Sequence, residues 1–158
     1  MRSLTQARQQ HRTKLNAALN QLQALLDEFF PEYPEVFADL LGQASLYVLQ
    51  HRPFPADVLA VPVEQLAAEL RAASNRRVGL KRAQALQEAA RRSVGVPYGL
   101  AAARLRLRQI LQEVTFWQER LAETEAAMAE ALEKTRVAPY LLSVPGVGVV
   151  TAAVSWGR

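Results

Sequence analysis

The chain has 158 residues, half of them hydrophobic and 22% charged, which is a globular composition and excludes an intrinsically disordered polymer. There is no cysteine, so a disulfide scaffold, a thiolate metal site and a cysteine nucleophile are all excluded. The formal charge is only +4, but it is unevenly spread: residues 71–108 hold ten basic side chains against one acid, Glu88, while the rest of the chain is net acidic. A polyanion is the expected partner of that middle stretch.

The first 30 residues contain neither glycine nor proline. Ser3 and Gln6 have capping-box spacing, and Leu4, Leu15, Leu19, Leu22 and Leu26 recur mostly at helical intervals, so one amphipathic helix is predicted over 4–30, stopped by Pro31 and Pro34. A second helix is predicted over 34–50, with Pro34 in its first turn and Phe37, Leu40, Leu41 and Val48 facing inward. Pro53, Pro55 and Pro62 then cut the chain into short pieces.

Two shorter helices follow, over 62–74 and 79–92, joined by Asn75, Arg76, Arg77 and Val78. Their junction has the length of a helix-turn-helix and carries a glycine, although most such hairpins are only packing units. Residues 93–99, with two glycines and Pro97, read as a connection. From 100 to 138 the pattern becomes heptadic. Leu100, Leu107, Val114, Leu121 and Met128 are seven apart, and Ala103, Ile110, Trp117, Thr124 and Ala131 follow each by three. This predicts a coiled-coil helix about 60 Å long. Arginines crowd one end of it and glutamates the other, which suits an antiparallel partner: a second copy meeting Leu107, Ile110, Val114, Trp117 and Leu121, or the first helix of the same chain. No strand signal of any length is present, so the fold class is all-α, a helical bundle with a long coiled-coil helix.

Near the C-terminus, residues 142–152 read Leu-Ser-Val-Pro-Gly-Val-Gly-Val-Val-Thr-Ala. This is the pattern of a starting helix-hairpin-helix, in which Gly146, Val147 and Gly148 would bring backbone amides close to a phosphate. Such a hairpin binds the nucleic-acid backbone without reading bases. The predicted nucleic-acid surface therefore comprises this turn together with Arg71, Arg76, Arg77, Lys81, Arg82, Arg91, Arg92, Arg104, Arg106 and Arg108. Tyr98 is the one aromatic in the basic stretch, which favours phosphate contact with a duplex or folded RNA over stacking along a single strand.

No complete catalytic constellation emerges. Asp27, Glu28, Glu32, Glu35 and Asp39 gather around a proline turn without metal-ligand spacing, and Ser143 and Ser155 lack a nearby histidine. His11 and His51 are too few and too far apart for a zinc centre. With no signal-like start and no apolar span of membrane length, a cytoplasmic protein that does not enter a membrane is expected.

The order of these motifs resembles a known family, the insertion-sequence transposases with a RuvC-like DEDD nuclease domain, a helical coiled-coil insert and a serine-bearing C-terminal transposase domain. The resemblance is carried by residues 8–31 (RQQHRTKLNAALNQLQALLDEFFP), 46–70 (LYVLQHRPFPADVLAVPVEQLAAEL), 74–93 with Ala83 and Ala90, the long helix, and 141–152 (LLSVPGVGVVTA). It implies DNA transposition guided by an RNA and performed by an oligomer, with DNA, a guide RNA and further copies of the chain as partners. It also implies Mg2+ in the full-length family, held by four acids, and a serine that attacks DNA. On this resemblance the chain is the middle of such an enzyme: 1–97 the end of the nuclease domain and its helical insert, 98–138 the coiled coil, and 139–158 the start of the transposase domain. None of the family's catalytic residues is carried onto a position here. A small helical DNA-binding regulator and a coiled-coil interaction protein remain alternatives.

Overall fold

A computed structural model describes residues 2–142, with side chains to residue 135. Every element among the described residues is helical: α1 (Arg2–Phe29), α2 (Tyr33–Val36), α3 (Gln43–His51), α4 (Pro55–Leu59), α5 (Val63–Ala73), α6 (Leu80–Arg91) and α7 (Leu100–Leu142). The all-α reading therefore holds, and α1, α5 and α6 lie within a residue or two of their predicted bounds. α7 runs to Leu142 rather than stopping before Pro139. The helix-hairpin-helix motif at Gly146, Val147 and Gly148 lies outside the described residues.

One predicted helix is divided. Residues 37–42 are not helical: the Leu41 N–H is taken by Asp39 Oδ1 at 3.1 Å, the Gly42 N–H by the Asp39 carbonyl, and Gly42 is extended as the N-cap of α3. A short carboxylate that captures a neighbouring N–H competes with the helix for the same donor. Two short helices replace one long one.

The chain forms two compact units, and the division falls inside both long helices. The larger, residues 19–112, holds most of the core. Leu22, Leu26, Phe30, Tyr33, Val48, Leu49, Phe54, Val58, Leu66, Leu70 and Leu86 are wholly or almost wholly buried there. The rings of Phe29 and Phe54, and of Phe30 and Tyr33, meet at 5.6 Å. Alanines at 83, 89 and 90 form the buried side of α6 and let α4 and α5 approach it closely. The buried Gln87 amide is satisfied by the carbonyls of Val58 and Val61. Within this unit α1 and α7 run antiparallel, with Gln21 accepting from Arg106 and the Glu28 carbonyl from the Val96 N–H.

The other unit comprises residues 1–18 and 113–158. Its described part is an antiparallel helix pair, in which Glu125 faces Arg8 and Arg12 and the Trp117 ring lies 5.7 Å from that of His11. Two helices cannot enclose a seam from every side, and Leu4, Leu15, Trp117, Leu121 and Met128 are only half-buried.

Candidate nucleic-acid interface

The turn between α5 and α6 is built by one buried hydroxyl. Ser74 Oγ donates to the Leu70 carbonyl at 2.6 Å and accepts the Val78 N–H at 2.9 Å, so it closes α5 and fixes the far side of the turn. Asn75 and Arg76 follow with φ of 52° and 66°. Asparagine tolerates that left-handed region, whereas for arginine it costs on the order of 1 kcal/mol. The bond from the Arg76 N–H to the Arg71 carbonyl at 2.8 Å holds the conformation.

Gly79 completes the turn for a steric reason. A Cβ there would lie 2.9 Å from Arg71 Nε, so another residue would displace the exposed Arg71 side chain from its path across the start of α6. That helix begins without a side-chain cap and without an acid in its first turn, leaving the partial positive charge of its first N–H groups uncompensated. Arg71, Arg76, Arg77 and Lys81 are exposed around this tip, and among the described residues none has a carboxylate within ion-pair distance.

The rest of the basic stretch is engaged differently. Arg82 donates to the Val36 carbonyl at 2.8 Å and lies over the Phe37 ring. Arg91 pairs with Glu88, and Arg92 with Glu35. Arg104 meets Asp57 at 2.6 Å above the Phe54 ring, and Arg106 donates to Gln21. Arg108 is exposed and has no carboxylate within ion-pair distance among the described residues. The ten cations of this stretch thus separate into four free at one helix tip, four (Arg82, Arg92, Arg104 and Arg106) that tie elements together, Arg91 paired within α6, and Arg108, exposed apart from both sets. Nothing in the spacing of the arginines distinguishes these sets, because the acids that engage them lie up to 57 residues away.

The residues read as a dimer seam are placed inside the chain at one end. Leu107, Ile110 and Val114 are 1–2% exposed, and Trp117 and Leu121 are half-buried. In the larger unit α7 is met by α1 of its own chain, the second of the two partners that the heptads allowed.

The acids of the proline turn do not form a metal site. Glu32 Oε2 accepts the Val94 N–H at 2.9 Å, Glu35 is paired with Arg92, and Asp39 is held by Leu41. Glu32 is 7% exposed; burial alone would raise its pKa, but the Ser93 hydroxyl, the Val94 N–H and nearby Arg92 outweigh that and lower it. Among the described residues no three His, Asp or Glu side chains could hold a metal ion, so these residues do not fit the Mg2+ chemistry that the resemblance implies for the full-length family. No helix among the described residues is long and apolar enough to cross a membrane. Protein-family models, curated proteins and solved structures offer no match to the chain.

Proposed function

We propose that the chain is a helical nucleic-acid-binding segment of a DEDD-type transposase, gripping the phosphate backbone of DNA or of a guide RNA with the tip of the α5–α6 hairpin and acting in the cytoplasm. One observation carries the reading: Arg71, Arg76, Arg77 and Lys81 converge on a helix start with no carboxylate paired to any of them. Uncompensated charge of this kind attracts phosphates and displaces their counterions without reading sequence.

Four phosphate contacts would make affinity fall about a hundredfold between roughly 50 and 200 mM salt. Fluorescence anisotropy with duplex DNA and with a structured RNA measures this. Replacing Arg71, Arg76, Arg77 and Lys81 together by glutamate abolishes binding, whereas the Arg91 and Arg92 replacements have the smaller effect expected of cations already paired. A salt-independent affinity would sink the proposal.

A second role is favoured by the half-buried seam of the smaller unit. There a second copy would cover Trp117 and Leu121 and pair its chains through the two-helix ladder. Trp117→Glu then halves the sedimenting mass. An identical mass for both proteins would remove the seam as the contact.

A further inference from the structure

Beside the basic tip lies a recess of about 360 Å³, within the larger unit, lined by both apolar and charged groups. Leu41, Val78 and the edge of Phe37 contribute apolar walls, and Asp39, Arg77 and Arg82 contribute charge. Its volume is at the lower end for a small-molecule site, and Gln43, Ser45 and Ser74 add further polar groups to its lining.

The charged groups are held in an unusual relation. Asp39 is oriented by the bond from the Leu41 N–H to Oδ1, which leaves Oδ2 without a hydrogen bond. Arg82 is fixed by the Val36 carbonyl and the Phe37 ring. Arg77 has no carboxylate partner, and neither arginine comes within the 4.0 Å ion-pair distance of Asp39. A carboxylate and a free guanidinium therefore face one recess without neutralising each other. A ligand that offers an acceptor pair on one edge and a donor pair on another can satisfy both.

We infer that this recess takes an unpaired guanine base from a strand whose phosphates rest on Arg71, Arg76 and Lys81, with Arg77 turned from the backbone to the base. The inference rests on the proposed nucleic-acid binding and names what is read there. Guanine O6 and N7 match the fork of Arg77, and its N1–H and N2–H match the Asp39 carboxylate, which retains free lone pairs on both oxygens. Adenine and uracil lack both of those adjacent pairs, and cytosine lacks the donor pair. Because N1 and N2 are used in base pairing, the base must be single-stranded, bulged or looped out, the form in which RNA sequence is ordinarily read.

The test uses the full chain and single strands of about ten nucleotides, as RNA and as DNA, that are uniform except for one central G, A, C or U/T. At about 100 mM salt the central-G strands bind about fivefold tighter or more than the other three, and annealing the complement removes the advantage. Asp39→Asn brings the four bases within about twofold of one another. Arg77→Lys does the same; it keeps the charge on an exposed side chain and removes only the fork. Equal affinities with a steep salt dependence would overturn the guanine site while leaving the phosphate grip in place. Preference for another base, or a guanine preference that survives both substitutions, would also overturn it. No binding to any strand or duplex at about 50 mM salt would overturn the proposed function as well.

Discussion

Glu69 shows how much a single side chain can hold. It joins α3 to α5 through two bonds from Arg52, at 2.8 and 2.9 Å, and accepts further bonds from Tyr47 and Gln65. The Arg52 guanidinium, aided by those two donors against the opposing effect of burial, holds its pKa down to about 2 from an ordinary 4.5. The folded state releases that proton more readily than the unfolded chain, so the linked stability is fully present above pH 4.5 and is lost as pH falls through 2. The shift corresponds to about 3 kcal/mol. Urea denaturation of Glu69→Gln at neutral pH is therefore expected to show a loss of that order, with a flatter decline between pH 4.5 and 2 than the parent. Glu32, also lowered, keeps part of the slope. An unchanged acid limb would show that Glu69 is not its source. Gly95 is the opposite case, a residue defined by what it lacks. A Cβ there would stand 2.1 Å from the Phe29 carbonyl, so Gly95→Ala should cost about 2 kcal/mol or more, read as a fall in the urea midpoint.

Among the elements, α7 divides by how completely its inward side chains are enclosed. Ile110 is 1% exposed, whereas Leu121 further along the same seam is only half-buried. Ile110→Ala is expected to cost about 2–5 kcal/mol and Leu121→Ala distinctly less, since the cavity term needs a closed site. Thermal melts of the two variants decide it; equal losses would mean the seam is enclosed along its whole length. The helices α1, α5 and α6 and the start of α7 were legible because period and punctuation agreed: apolar residues at helical spacing, with glycine or proline nearby; the end of α7 was not, since the helix continues through Pro139. The break between α2 and α3 was not, because Phe37, Leu40 and Val48 keep a helical period straight through it. At the break Asp39 takes the N–H groups of both Leu41 and Gly42, and Gly42 is extended. The candidate interface was half legible. Its cations were all named from sequence, but which of them would be free depended on Glu35, Asp57 and Gln21, partners that only the fold brings within reach.

At the scale of the molecule, the two units have unequal reserves of buried surface. Residues 19–112 enclose nearly all the fully buried large side chains, and the helix pair of residues 2–18 and 113–142 encloses a single partial seam. Amide exchange should follow that difference, with Leu22, Val48, Leu66 and Leu86 slowest and the amides around His11 and Glu123 fastest. Uniform protection would show one cooperative transition instead. A further property follows from the loop that joins α6 to α7. The Val96 N–H bonds to the Glu28 carbonyl and Gly95 rests on Phe29, so the chain comes back to the place where it left α1. The five helices between are topologically a cassette whose two ends meet. Such a segment can be exchanged for another of different length without moving the end of α1 or the beginning of α7, provided that the newcomer covers Leu22, Leu26 and Phe30. The basic tip travels with the cassette, which makes that cluster of charge, and the nucleic-acid contact proposed for it, separable from the helices that carry it.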